Sequence, residues 1–148
     1  SKRGRRSVEA TDFFRGIYET AREPDELLLG AEIPIPDPSW RPCFMEFSRR
    51  NGDFAIAGIA ARARVQGSRF TQMRIVLFGV ESRPFRARAA EEALTAAGDL
   101  AGGIAAAQAS LTDSLAPLSD SHASGHLRLH YARILVDRAV KKLSESWT

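Results

Sequence analysis

Cysteine is almost missing: Cys43 is the single one in 148 residues. One thiol excludes an internal disulfide framework and fits a reducing compartment, so the expected location is cytoplasmic. No apolar run approaches the ~18 residues that a membrane-spanning helix needs. No charged-then-apolar leader is visible. Charge of one sign is also scarce, because 21 Lys and Arg face 18 Asp and Glu for a net +3. That excess is too small to argue for nucleic acid without a clustered patch. Gly102-Gly103 could open a helix toward a phosphate, but the pair lacks both the GxGxxG spacing and a following Lys-Ser/Thr, so it reads as a loop. No His-Asp arrangement accompanies Cys43 in sequence, which makes it a small buried side chain rather than a nucleophile.

What is present is ordinary globular material, 44% hydrophobic and 26% charged, enough for one domain with a lead-in segment. The chain opens at Ser1 without a methionine and begins mid-pattern, so we expect part of a longer polypeptide. Lys2, Arg3, Arg5 and Arg6 surround Gly4 with no interleaved aromatic, and read as a solvated turn. Thr11 or Asp12 caps a short helix that should bury Phe13 and Phe14. Leu27-Leu28-Leu29 leads into a strand ended by Pro34, Pro36 and Pro38, which lack ladder donors. A boundary is placed in the Pro-rich linker near residue 40.

Three strands in sequence follow: residues 44–48, 54–65 and 70–80. The middle one is apolar on both faces at its start, which predicts burial on both sides there. Ala- and Glu-rich residues 86–97 read as a helix, with Ala89, Ala93 and Leu94 on one face and Glu91-Glu92 on a solvated one. Gly98 ends it. A second Ala-rich segment runs to about Leu111. A last helix, capped by Asp120 or Ser121, runs to about Ser144 with a broad apolar stripe including Leu135, Val136 and Ala139. His122, His126 and His130 share spacing four, a pattern that can bind zinc, but no Cys accompanies them and an exposed helix face is the preferred reading. Trp147-Thr148 should fray.

The stretch that organises the chain is FMEFSRRNGDFAIAGIAARARV, residues 44–65. Two arginines, a turn-forming Asn-Gly pair and an aspartate sit on a tight loop before the long strand. Asp53 can pair with Arg49 or Arg50, and arginine favours bidentate contact with phosphate or carboxylate. This stretch resembles the FAD-binding medium subunits of carbon monoxide dehydrogenase and xanthine dehydrogenase-type molybdenum hydroxylases, at the start of their C-terminal domain. The matching residues are Phe44, Arg49, Arg50, Gly52, Asp53, Phe54 and Ala55. The order continues upstream through Asp12-Phe13-Phe14, Pro24 to Leu28 and Glu32-Ile33-Pro34. Downstream it continues through residues 120–124, Arg133-Ile134-Leu135 and Arg138-Ala139.

The resemblance implies FAD, with electrons arriving from a molybdenum-cofactor large subunit through an iron–sulfur small subunit and leaving to an acceptor. It implies that Leu28, Met45, Glu46, Arg49, Arg50 and Asp53 face the flavin, with no catalytic residue and no metal ligand. Relatives often carry a lysine in the tripeptide where this chain has Met45 and Glu46. The family's pyrophosphate-binding Gly-rich motifs are absent here, so the FAD site is expected to be incomplete and the chain alone inactive. The resulting expectation is an α+β fold: a three-stranded antiparallel sheet with helices packed on one face. Residues 1–40 would be the end of a flavin-binding domain, and residues 41–148 a carbon monoxide dehydrogenase flavoprotein C-terminal-like domain. The rival is a stand-alone interaction module whose basic rim, Arg49, Arg50, Arg62 and Arg64, binds an acidic partner.

Overall fold

A computed structural model describes residues 4–50 and 52–145. Lys2 and Arg3 of the basic start, Asn51 of the turn pair and the Trp147-Thr148 tail lie outside them. Residues 4–40 hold little regular structure. One helical turn, α1 (Ala10–Phe13), leads into a two-stranded antiparallel hairpin of β1 (Phe14–Gly16) and β2 (Glu19–Thr20). The rest of this segment runs without strand or helix to residue 40.

The main sheet is built by alternation. Its strands are β3 (Arg41–Phe47), β4 (Ala57–Gln66), β5 (Arg69–Phe78) and the short β6 (Phe85–Arg86), antiparallel in that order. Cys43 pairs with Ala61, and Ala61 with Ile75; Met45 pairs with Ile59, and Ile59 with Leu77. These residues lie on one face, where Ala57, Ile59, Ala63, Ile75 and Leu77 have no exposed surface. Burying an Ile or Leu side chain this fully is worth about 1.5–3 kcal/mol.

Three helices cover that face. Helix α2 (Arg88–Ala96) packs on β5, α4 (Gly125–Ser144) packs on β3 and β4, and α3 (Leu100–Ser114) bridges α2 and α4. Asp99 caps α3 by accepting the Gly102 N–H at 2.8 Å, and Ser124 caps α4 by accepting the Leu127 N–H at 3.2 Å. Helix α4 seals the core with Ala132, Leu135, Val136, Ala139, Val140 and Leu143, the broad stripe that the sequence shows.

The mixed architecture with antiparallel strands and helices is as expected, but several details differ. The main sheet has four strands rather than three, because Phe85–Arg86 adds to the edge of β5. Residues 27–36 form no strand. Phe14 does not enter the core; it is exposed, and its ring meets Phe13 edge-on at 5.2 Å. The long strand starts at Ala57, not residue 54, and its second face is largely open: Ala60 and Arg62 are exposed, and Gly58 is buried under the ring of Phe78. Helix α2 turns Ala90, Glu91 and Leu94 inward with Ala93 half-buried beside them, while Ala89 is exposed, so Glu91 is buried, not solvated. Helix α4 is capped by Ser124, three to four residues later than the expected Ser121 or Asp120.

Candidate functional site

Two strands and one helix set the loop at residues 48–56. The entry is β3, whose Phe47 ring lies 4.6 Å from Tyr131 and under the Arg138 guanidinium at 5.2 Å. The exit is closed by the Ile56 N–H, which donates to the Phe47 carbonyl at 2.7 Å. Between them the Ser48 hydroxyl and the Asp53 N–H both donate to the Arg50 carbonyl, at 2.9 and 3.1 Å. Gly52 supplies the turn with φ +83°, a conformation that other residues adopt at a cost. Asp53 then accepts the Phe54 N–H at 3.0 Å and meets the Arg49 guanidinium at 3.5 Å. The loop is a braced turn with a charged rim, and Phe54 at its far side is 95% exposed.

The six residues expected to face a flavin are only partly brought together. Arg49, Arg50 and Asp53 share this loop. Among the described residues Arg50 has no ion-pair partner. Glu46 opposes Gly58 on the open side of the sheet. Met45 points the other way and packs, half-buried, against the helix layer, as strand alternation requires. Leu28 lies apart from the sheet in the extended segment and is exposed. The four arginines of the rival basic rim do not form one surface. Arg62 and Arg64 sit toward the opposite end of β4, roughly 20 Å along the strand at ~3.3 Å per residue. They flank the Trp40 ring at 4.5 and 5.0 Å, and Arg64 pairs with Asp37 at 2.6 Å.

The remaining candidates resolve simply. Cys43 is buried, and burial pushes its thiol pKa up, which suits an inert side chain. His122, His126 and His130 are all exposed. Among the described residues no group of three His, Cys, Asp or Glu side chains could hold a metal. Asp99 already occupies the N-terminus of α3, so Gly102-Gly103 leaves no vacant anion cradle there. No helix among the described residues is long and apolar enough to cross a membrane.

Two features escaped the sequence reading. The first is a stack of Phe44 and Phe78 on the open sheet face, with centroids 5.5 Å apart and planes at 19°. The second is Arg128, buried in α4 and donating to the carbonyls of Ile56 and Gly79. Its signal was its place on the apolar stripe, four residues before Ala132 and seven before Leu135.

Residues 42–143 match the CO dehydrogenase flavoprotein C-terminal domain. The chain belongs to that family. It is 30% identical over 147 residues to the glyceraldehyde dehydrogenase medium chain of Sulfolobus acidocaldarius, covering 97% of this chain and 51% of that protein. Quinoline 2-oxidoreductase from Pseudomonas putida 86 has a chain of similar structure: TM-score 0.86, 40% identity, 97% of this chain and 50% of that one. Carbon monoxide dehydrogenase from Hydrogenophaga pseudoflava, in a form lacking the Mo-pyranopterin moiety of its molybdenum cofactor, matches with TM-score 0.86 and 29% identity. That match covers 94% of this chain and 48% of the other. The chain thus spans about half the length of the curated relatives it matches.

Proposed function

We propose that this chain supplies the ring-side half of an FAD site in the electron-transfer subunit of a molybdenum-containing dehydrogenase. In this reading electrons come from iron–sulfur clusters in a small subunit, themselves fed by a molybdenum-cofactor large subunit. The carrying observation is a ribbon of unburied apolar side chains. Leu27, Leu28, Leu29, Ile33 and Ile35 are each 66–95% exposed, in one segment with no strand or helix. Scattered exposed leucines need no explanation, but five large apolar side chains left exposed between residues 27 and 35 fit a surface that another body covers. The family match begins at residue 42, which supports reading residues 1–40 as the end of a flavin-binding domain.

The residues present fit one part of the cofactor. An isoalloxazine ring needs apolar contact, exposed backbone groups and a few placed charges. Leu28 with its unladdered neighbours, Glu46, and the Arg49–Asp53 rim offer these, with Met45 bracing the strand from behind. The pyrophosphate needs a nest of backbone N–H groups at a Gly-rich turn. The sequence carries no Gly-rich motif of that kind, which supports a site completed by an N-terminal half. When bound, the flavin supplies the redox chemistry; the chain's residues shape access to it. The free, buried Cys43 accords with work in the cytoplasm.

The test uses the longest natural polypeptide containing this chain. Arg50→Ala and Asp53→Ala should leave FAD content unchanged and alter the rate at which an acceptor reoxidises the reduced flavin. Unaltered reoxidation in both variants would remove the rim from the site.

A further inference from the structure

We propose that Arg128 is a positioning residue for the rim loop, setting where Arg49 and Asp53 stand and through them the rate of flavin reoxidation. This rests on the flavoprotein reading above. The clamp lies at the end of the sheet. The β4–β5 ladder closes at Gly58 opposite Phe78, so the carbonyls of Ile56 and Gly79 lie just beyond the paired region. Ile56 is half-buried and Gly79 exposed, and neither carbonyl has a ladder partner, so a donor aimed at both fixes the two chain segments to each other. Arg128, with only 7% of its side chain exposed, donates from Nη1 to both carbonyls and from Nη2 to Asp120 at 2.6 Å.

The same point is closed from the other side. Gly79 has φ +72°, and a Cβ there would stand 2.9 Å from the Ala55 carbonyl oxygen. The backbone of residues 55 and 56 therefore passes close to Gly79, and its Ile56 carbonyl takes the Arg128 bond. Asp120 extends the chain of contacts, accepting the N–H groups of His122 and Ala123 at 2.8 and 3.0 Å in the turn that leads into α4. One turn along α4, Tyr131 holds the entry stem through Phe47. Helix α4 thus grips both stems of the loop and leaves its charged tip projecting. A lysine at 128 keeps the charge but lacks the planar fork that reaches three acceptors at once.

The test is amide hydrogen exchange on the chain, and on the longer polypeptide that contains it, for Arg128→Met, Arg128→Lys and Asp120→Asn. Arg128→Met should speed exchange at Asp53, Phe54 and Ile56 at least tenfold while Ile75 and Leu77 stay within about twofold, as expected for a local rather than global opening. Arg128→Lys should restore part of the protection. If Arg128→Met does not fold, Asp120→Asn gives the same reading in milder form. In the flavin-loaded polypeptide, the same variants should change reoxidation of reduced flavin by dioxygen at least threefold with FAD content unchanged. Uniform acceleration across the sheet, or an unchanged loop, overturns the clamp. Loop-confined acceleration with unchanged reoxidation overturns its functional role. A longer polypeptide without flavin removes the proposed function, and the flavin half of this inference with it, while exchange still decides whether the clamp exists.

Discussion

The Glu91 carboxylate, carried on a helix, accepts the backbone N–H of Ile75 in the neighbouring strand at 2.9 Å. It also takes three bonds from Arg86, the shortest at 2.8 Å, and lies 3.6 Å from Arg74. One side chain therefore completes the ladder of β5 where β6 is too short to do so, and pins α2 to the edge of the sheet. Removing it strands a buried N–H and an arginine together. Glu91→Ala should lose about 3 kcal/mol, the usual scale for breaking a buried pair. Glu91→Gln, which can still accept from Ile75, should lose less. Urea denaturation of the two variants checks the order.

Acid should act through three carboxyls: exposed Asp37, lowered by hydrogen bonds from Ser39 and by Arg64, and the two that tie helices to the sheet, Glu91 and Asp120. Burial works to raise the Glu91 pKa, but the bonds from Arg86 and Ile75, with the nearby Arg74, outweigh it and hold the group below its ordinary value. Asp120 is drawn down to about 2, first by the His122 and Ala123 N–H groups and then by Arg128. A carboxyl lowered in the folded state stabilises fully above its unfolded pKa and loses that contribution as pH falls through the folded one. The melting temperature should therefore hold from neutral pH to about pH 5 and fall below it, given ordinary carboxyl values near 4. The gap between the parent and Glu91→Gln should narrow as the pH drops toward that of the protonated state. A gap that stays constant over that range would contradict the assignment.

Gly79→Ala should be costly for two separate reasons. Its φ of +72° disfavours any Cβ, and the new methyl would meet the backbone oxygens of Ala55 and Ile56 at 2.9 and 3.1 Å. Backbone cannot swing aside as a ring tip can. A loss of about 2 kcal/mol or more is expected in a denaturant titration, within the range for strained backbone sites.

The exposed ribbon makes the opposite prediction. Leu28→Ala removes a side chain that is 66% exposed. It should change the stability of this chain by no more than about 0.5 kcal/mol, the range for surface substitutions. In the longer flavin-loaded polypeptide it should weaken FAD retention. The two results together separate a packing role within the chain from a contact outside it.

The sequence showed the sheet and its helices plainly, because long periodic segments such as residues 57–66 and 125–144 state their burial directly. It misjudged residues 27–36, where apolar and extended composition looks the same whether the partner is a strand or another body. It also misjudged Glu91 and passed over Arg128. Both are charged residues on apolar stripes, and pattern reading assigns charge to solvent unless the stripe is followed through it. Ala87, Ala90 and Leu94 frame Glu91, as Ala132 and Leu135 frame Arg128. Within the candidate site, the tight loop was legible from Asn-Gly and its flanking charges. The stems that hold it were not, since Tyr131 and Arg128 come from a helix more than 70 residues away.

The most direct measurement is a visible absorption spectrum after gel filtration with FAD, taken for this chain and for the longest natural polypeptide containing it. Completion of the site by a second half predicts a flavin band retained by the longer polypeptide and absent from the 148-residue chain. A longer polypeptide that emerges without flavin would contradict the account, whatever the loop and its arginines do.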